Sequence, residues 1–306
     1  MTARKRFLRA SNLFFVILLL VQLLPDTTKN PSLSAYVVGV ACMLEFVSLA
    51  LSIRTRKQEK LNLYLDLFAF VFAFLLLWTL TTAKFNLLKE ALFPAPGRVF
   101  AQFIEDRSEI AINVGSSLGI ILEGYLLAAA IAIVLGLFIG WNSRIGSAAG
   151  YLTKFFSSIP PIVYIPYGIA LLPTFRSVSV MVIFLATFWP VFGGTMSGVL
   201  HVEEKLIHSA KVLNVSKPTM LFSVILPASL PQIFLGCNQG LTVSFILLTS
   251  AEMIGAQHGM GFYVKQYSDF GDYTRTIAGL LVIGIIVTLI SALFNQLQSY
   301  LLRWRK

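Results

Sequence analysis

The sequence predicts an all-α integral membrane protein with about eight transmembrane helices, and three observations support this. Hydrophobic residues make up 57% of the 306 residues and charged residues only 12%, which is about half the share of charged residues in ordinary soluble domains. The mean hydropathy is +0.79. Apolar residues also run continuously over stretches close to the ~20 residues that a membrane-spanning helix needs. A soluble enzyme and a disulfide-stapled domain are therefore excluded.

Eight stretches predict membrane crossings, and the first and the fifth are the shortest. They are Leu13–Leu24, Leu33–Ile53, Leu61–Ala83, Val114–Trp141, Phe155–Leu172, Val178–Leu200, Gln232–Ile254 and Ile277–Leu297. Basic residues before the first stretch resemble the start of a signal peptide, but no small-residue cleavage site follows, so we expect a retained helix. Fifteen of the 24 Lys and Arg residues fall on the side of the N-terminus, which predicts that both termini are cytoplasmic.

A basic link at residues 54–60 divides the sequence into an N-terminal two-helix hairpin, residues 1–60, and a larger domain, residues 61–306. The sequence lacks the nucleotide-binding pattern G-x-x-x-x-G-K-[ST] and the patterns H-E-x-x-H, C-x-x-C and G-x-S-x-G. His201, His208 and His258 are scattered along the chain. We therefore expect no catalytic residue, metal or cofactor in this chain. The net charge of +10 is ascribed to basic residues at the membrane surface, not to nucleic-acid binding.

The long cytoplasmic segment, residues 201–231, has apolar residues at helical spacing. The predicted apolar stripe is Val202, Leu206, Ala210 and Leu213. This pattern predicts a short amphipathic helix. Asn214 suits the left-handed residue that ends a helix, and Pro218 prevents continuation. Two interpretations are open at this point, a helix lying on lipid headgroups and a docking helix for a soluble partner.

Polar and helix-breaking residues inside the predicted spans are candidates for a translocation pathway. Prolines interrupt the fifth span, and such interruptions persist where protein or a water-filled cavity satisfies the freed backbone groups. Helix–helix bonding explains the polar residues of the seventh span equally well, and Glu252 fits either a bond to a neighbouring helix or a pathway role. Gly136 and Gly140 predict close helix packing. The pathway candidates are Ser158, Pro160, Pro161, Tyr164, Asn238, Gln239, Ser244 and Glu252.

Five motifs within residues 61–306 are more specific together than any one alone. They are Phe93-Pro94-Ala95-Pro96; Ser117-Leu118 with Gly124-Tyr125-Leu126-Leu127-Ala128; Ser158-Ile159-Pro160-Pro161 with Tyr164-Ile165-Pro166; His208-Ser209-Ala210-Lys211-Val212-Leu213-Asn214 followed by Val224-Ile225-Leu226-Pro227; and Ala251-Glu252-Met253-Ile254-Gly255-Ala256 with Gly259-Met260-Gly261. In these motifs the chain resembles the permease subunits of ABC importers, in particular those for nitrate, sulfonate, taurine and bicarbonate. The family's loop has the pattern E-A-A-x-x-x-G, whose acidic residue is His208 here and whose glycine is Asn214.

The resemblance implies a type I ABC importer permease core of six spans, to which residues 1–60 add a hairpin. It implies a second permease copy, identical or related, two cytoplasmic ATPases that bind ATP and Mg, and an extracytoplasmic substrate-binding protein. The implied location is the bacterial cytoplasmic membrane, and the implied solute is a small anion such as a sulfonate or nitrate. The implied ATPase-coupling residues are Glu203, Glu204, Leu206, His208, Ser209, Ala210, Leu213 and Asn214.

An ion-gradient-driven secondary transporter is the alternative function, with Glu123 and Glu252 as proton or cation sites. It predicts an inverted internal repeat, and the sequence shows none. An intramembrane enzyme would need paired Asp or His residues within spans, and Asp66 has no such partner in the sequence.

Overall fold

The computed structural model describes residues 10–27, 31–55 and 58–305, and within these ranges the ordered elements are helical with no strand. The predicted all-α class is confirmed. The helices are α1 (Ala10–Gln22), α2 (Ser34–Arg54), α3 (Gln58–Thr79), α4 (Pro96–Glu105), α5 (Arg107–Trp141), α6 (Ser143–Ser157), α7 (Ile165–Leu171), α8 (Phe175–Leu200), α9 (Glu204–Val212), α10 (Lys217–Thr219), α11 (Leu226–Gly255), α12 (Met260–Asp269) and α13 (Tyr273–Leu301). Turns of π-helix extend α3 and join α10 to α11, at Leu80–Lys84 and Met220–Ile225.

Six helical segments in the described part of the chain have the length and apolar composition of membrane spans. They are Ser34–Arg54, Gln58–Lys84, Arg107–Trp141, Phe175–Leu200, Lys217–Gly255 and Tyr273–Leu301. Six of the eight predicted crossings are thereby confirmed, and the count of eight is not. The first predicted stretch lies largely in α1, whose 13 described residues rise about 20 Å, compared with the ~30 Å of a bilayer core.

The fifth predicted span, Phe155–Leu172, is not a single helix. α6 ends at Ser157, a 3-10 turn covers Pro161–Tyr164, and α7 follows. Pro160 and Pro161 have no N–H to donate, so the α-helical hydrogen-bond ladder cannot pass through them. The break predicted from the prolines is confirmed, and a membrane crossing by this segment stays a prediction.

The described chain forms two compact units. The first unit consists of the residues up to Glu109 together with Gln266–Leu280, and the second unit consists of Ile110–Lys265 and the residues from Leu281 onward. These units are groups of residues that pack mainly among themselves. The boundary predicted at residue 60 is of a different kind, because it separates an added hairpin from a permease core. That boundary stays a prediction.

In the second unit, glycines allow α5 and α8 to pack closely. A Cβ placed at Gly124 would lie 2.8 Å from Ile183, and one at Gly136 would lie 2.7 Å from Thr195. Gly140 meets α8 one turn further on, which confirms the close packing predicted for the glycine pair. Because the contacts advance together along both helices, α5 and α8 run parallel. The segment of α6 and α7 therefore connects opposite ends of these two helices.

α8 and α11 of the second unit pack antiparallel through small residues. A Cβ at Gly194 would lie 2.8 Å from the carbonyl oxygen of Gln232, and one at Gly240 would lie 3.2 Å from Thr187. The hydroxyls of Thr187 and Ser244 are 2.7 Å apart. Aliphatic and aromatic side chains from α5, α8 and α11 fill the core around these contacts.

In the first unit, α1 and α2 share one apolar cluster with α3 instead of closing a hairpin by themselves. Lys84, which is 4% exposed, donates from Nζ to Asp26 Oδ1 at 2.7 Å and to the carbonyl of Leu24 at 2.6 Å. Burial raises the pKa of Asp26, but the hydrogen bonds from Lys84 and Ser32 outweigh it and hold this pKa below its ordinary value. The cluster consists of Leu18, Val37, Ala41, Phe72 and Leu75.

A charged network joins the start of α13 to the end of α4 in the first unit. Arg275 donates to Asp106 at 2.8 Å and to Asp272 at 3.0 Å, and its guanidinium lies 4.9 Å from the ring centroid of Tyr267. Burial and the hydrogen bond to Glu109 raise the pKa of Tyr267 to about 12. The phenol therefore stays protonated and continues to donate to Glu109.

Candidate functional site

The predicted loop helix is present as α9. It covers Glu204–Val212 and is preceded by Glu203 as the N-cap residue. Asn214 has φ +54°, which confirms the left-handed residue predicted at the end of this helix. The N–H of Asn214 donates to the carbonyl of Lys211 at 2.9 Å, and Ser216 begins the next turn by capping Thr219. The chain thus reverses direction at once and returns into α11.

One side of α9 is buried against the rest of the second unit, and this corrects the predicted apolar stripe. Ala210 and Val202 are buried, and Ile207 packs beside them in one cluster. Leu206 is 45% exposed and Leu213 is 76% exposed, so these two residues do not share the face of Ala210. Leu213 is the C-cap residue, and the turn after the helix directs it outward. The cluster also contains Leu137, Val199, Met220, Leu221 and Ile225.

The remaining loop residues that the sequence singled out lie on the outside of the loop. Glu203, Glu204, His208 and Ser209 are all exposed. The hydroxyl of Ser209 is already used, because it donates to the carbonyl of Lys205 at 2.8 Å. The acidic and imidazole groups therefore remain for contacts beyond this chain. Val212, which is 86% exposed, was missed by the predicted stripe because it falls outside the 3-4 spacing.

Glu252 is the centre of a buried hydrogen-bond network in the second unit. Its Oε1 accepts from the Ser117 hydroxyl at 2.7 Å, and its Oε2 accepts from the N–H of Gly261 at 2.8 Å. The Ser117 oxygen accepts in turn from the N–H of Met260 at 2.9 Å. Gly259 has φ +128°, and a Cβ there would overlap the Glu252 carboxyl. Only glycine therefore fits at this position.

The geometry of this network supports a helix-bonding role for Glu252, which is one of the two roles that the sequence leaves open. The side chain is 1% exposed and joins α11 to α5, as a residue bonding a neighbouring helix does. Glu123 lies instead on the exposed side of α5, where Arg176 of α8 pairs with it. Both carboxylates therefore already have hydrogen-bond or ion-pair partners within this chain.

Asn113 belongs to the same network, and the sequence did not single it out. Its Oδ1 accepts from the N–H of Gly259 at 2.8 Å. An asparagine in the first turns of an apolar helix carries no distinctive pattern, so only the tertiary contact reveals it. Together Asn113, Ser117 and Glu252 hold the turn between α11 and α12 against α5.

The other pathway candidates do not form one cluster. Ser244 is fully buried between α8 and α11, where its hydroxyl lies 2.7 Å from that of Thr187, and this fits the helix–helix interpretation. Ser158 is exposed, and its hydroxyl donates to the carbonyl of Lys154 at 2.8 Å. Gln239 is exposed and Asn238 is half-buried. Pro160 is exposed, whereas Pro161 and Tyr164 begin and end the 3-10 turn, which contacts both α8 and α11.

An aromatic cluster beside the proline break was also missed by the sequence analysis. Phe156 stacks on Trp189 at 4.8 Å between ring centroids and an interplanar angle of 7°. Phe188 stacks on Phe192 in the same way at 5.5 Å. These contacts fix the end of α6 against the middle of α8, so the segment that follows starts from a defined position.

The second unit is a core of long helices with the short helix α9 packed against one end of it. Residues 132–306 match the model of the binding-protein-dependent transport system inner membrane component. The chain belongs to this family, whose members are permease subunits of ABC transporters in the inner membrane. The predicted resemblance is thereby confirmed.

Individual relatives agree with this assignment. A probable ABC transporter permease protein of Brucella abortus is 33% identical over 194 residues, which cover 63% of this chain and 78% of the relative. The taurine transport system permease protein TauC of Escherichia coli is 27% identical over 234 residues, covering 74% of this chain and 84% of TauC. The nitrate import permease protein NrtB of Leptolyngbya laminosa is 27% identical over 187 residues, covering 61% of this chain and 67% of NrtB.

Proposed function

We propose that this chain moves a small anion across the cytoplasmic membrane as the permease of an ATP-driven importer. A separate cytoplasmic ATPase binds ATP and Mg, and α9 couples it to the membrane core. A second permease copy completes the pathway, and an extracytoplasmic binding protein delivers the solute. The similarity to the nitrate and taurine permeases over 61% and 74% of the chain supports an anionic solute.

The exposed apolar side chains of α9 carry the proposal for coupling. Leu206, Val212 and Leu213 are 45%, 86% and 76% exposed, although they lie in a loop rich in charged residues. Burying each leucine in a partner groove would contribute about 1.5–3 kcal/mol. Glu203 and Glu204 are exposed at the start of the same helix, where they supply the acidic contact that His208 does not.

The buried side of α9 explains how movement of an ATPase would reach the membrane core. Ile207 and Ala210 pack against Leu137 of α5, Val199 of α8 and Ile225 before α11. Because packed side chains resist compression, a displacement of α9 is passed to these three helices together. ATP binding drives the transition only if the ATPase dimer binds one permease conformation more tightly than the other.

Co-purification of the ATPase with aspartate variants tests the proposal. Leu206→Asp and Leu213→Asp place a charge in the proposed contact, so we expect both to lose the ATPase and ATP-driven uptake in vesicles. Phe270→Asp is the matched control, because Phe270 is 79% exposed and lies far along the chain from α9. It should retain the ATPase.

The membrane core should fold normally in these variants, since both leucines are exposed. The purified chain without a partner should hydrolyse no ATP, because its sequence holds no nucleotide-binding loop. Normal assembly and uptake by Leu206→Asp and Leu213→Asp would show that α9 lies on the membrane surface. ATP hydrolysis by the chain alone would contradict the proposal that a separate subunit hydrolyses ATP.

A further inference from the structure

A cavity of about 400 Å³ opens at the start of α8 in the second unit, and we name it the outer cavity. It is lined by Ser116 of α5, Arg176 and Ser179 of α8, and Gln257 and His258 of the turn after α11, among others. Its volume falls in the range of small-molecule sites, about 300–1,000 Å³. α8 has 26 residues and is about 39 Å long, so the outer cavity and α9 lie near opposite ends of this helix.

The polar residues that line the outer cavity can all donate hydrogen bonds, and no carboxylate is among the lining residues. Arg176 donates through one terminal nitrogen to Glu123 of α5, and a guanidinium has five N–H donors in total, so others remain for a ligand. Ser179 is 3% exposed, and its side chain borders the cavity from this buried position.

The Glu252 network holds one wall of the outer cavity in place. Gln257 and His258 lie in the turn that Asn113, Ser117 and Glu252 fix from behind, through the N–H groups of residues 259–261. The wall is therefore built in before any ligand arrives. A site with a fixed wall loses less entropy when it binds a ligand.

We propose that the outer cavity binds a small organic or oxo-anion, with Arg176 as the cationic anchor and Ser179 as a buried donor. Glu123 competes for Arg176 and keeps the affinity low. A low affinity suits a site that must release its ligand onward. A role of this site in solute uptake rests on the proposed function. Anion binding by itself does not, because it involves residues of this chain only.

Thiol-reactive probes of opposite charge test the proposal without an ATPase. Ser116→Cys places a reporter in the lining, and Cys42→Ser removes the exposed native thiol. The reporter's reaction rates with a sulfonate-bearing and a trimethylammonium-bearing methanethiosulfonate reagent are measured on the purified chain in micelles. The ratio of the two rates reports the preference of the outer cavity for an anion.

We expect Arg176→Gln to lower this ratio and Glu123→Gln to raise it, each by about three- to fivefold, as one unit charge at about 5 Å in water predicts. Arg176→Lys should keep most of the ratio because it keeps the charge. Glu90→Gln is the matched control, because it neutralises the acid of another ion pair, Glu90 with Arg98. It should leave the ratio unchanged.

Protection by a ligand completes the test. Taurine, nitrate or bicarbonate at millimolar concentration should slow the anionic reagent in the Glu123→Gln chain and have no effect in the Arg176→Gln chain. The proposal would be overturned if Arg176→Gln left the ratio of the two rates unchanged. It would also be overturned if the ratio changed but none of the three anions slowed the anionic reagent. Failure of the unsubstituted chain to bind an ATPase would contradict the proposed function, but it would leave these reaction rates unchanged.

Discussion

Replacing Glu252 separates a structural role for this carboxylate from a proton- or cation-binding role. Its two oxygens accept from Ser117 and Gly261, and its side chain is 1% exposed. In Glu252→Gln, the amide oxygen still accepts from the N–H of Gly261. The amide NH₂ donates to Ser117, whose oxygen has a second lone pair beside the one used by Met260. We therefore expect Glu252→Gln to fold and to support ATP-driven uptake.

Glu252→Ala should be much more damaging. It leaves the Ser117 hydroxyl and the Gly261 N–H without the carboxylate, and each buried group without a partner costs about 1–3 kcal/mol. The free energy of unfolding should thus fall by about 2–6 kcal/mol. Glu123→Ala is the matched control, because it removes the carboxylate of an ion pair whose two side chains are 52% and 53% exposed. Such a pair contributes about 0–1 kcal/mol.

Reversible unfolding of the purified chain in mixed micelles measures the stability of these variants, and uptake by the reconstituted complex measures function. The reasoning fails if Glu252→Ala unfolds at the same denaturant concentration as Glu123→Ala. It also fails if Glu252→Gln keeps its stability and abolishes uptake. That second result would mean that the charge of Glu252 is required and would favour the secondary-transporter alternative.

Three further predictions use the same unfolding assay. Gly259→Ala should lower the free energy of unfolding by about 2–5 kcal/mol, because backbone strain and overlap with Glu252 act together. Gly271→Ala should lower it by only about 1–2 kcal/mol, because Gly271 also has a positive φ, +74°, but has open space around it. Equal losses in the two variants would contradict the overlap. Asn214→Gly should change stability by less than about 0.5 kcal/mol, whereas Asn214→Val should cost about 1–2 kcal/mol because a β-branched residue is strained at φ > 0; a stable valine variant would contradict the left-handed turn. Asp26→Asn should cost about 1–3 kcal/mol at neutral pH by weakening the contact with Lys84. Because the pKa of Asp26 is lowered on folding, its contribution to stability is present at neutral pH and is lost as the pH falls through that lowered pKa. The stabilities of the wild-type and Asp26→Asn proteins should therefore become equal only in strong acid. Equal stabilities already at neutral pH would refute the pairing with Lys84.

The sequence was sufficient for features that depend on local composition. Continuous apolar runs predict spans because each helix must satisfy its own backbone in lipid, and six of the eight were confirmed. Asn214 and the prolines of the broken segment act on their own backbone, so their effects on α9 and on the fifth span could be predicted without knowledge of the fold. The close packing at Gly136 and Gly140 followed from their spacing on one helix face.

The same local evidence failed where a neighbour decides the outcome. The spacing of Leu206, Ala210 and Leu213 predicts one apolar face, but a spacing does not say how much of that face the chain itself covers. Ala210 is buried by residues of three other segments, while Leu206 and Leu213 remain exposed.

The amino-acid sequence by itself determined that this protein is a helical membrane permease, and it marked the loop and Glu252 as residues of interest. Only the tertiary structure decided what Glu252 does, because its partner Ser117 lies 135 residues away in the chain, and Asn113 lies 146 residues from Gly259. The outer cavity has the same origin, since it is assembled from α5, α8 and the turn after α11. A hydrogen bond depends on positions in space within about 3 Å, and no pattern along one chain specifies which distant residues meet at that range.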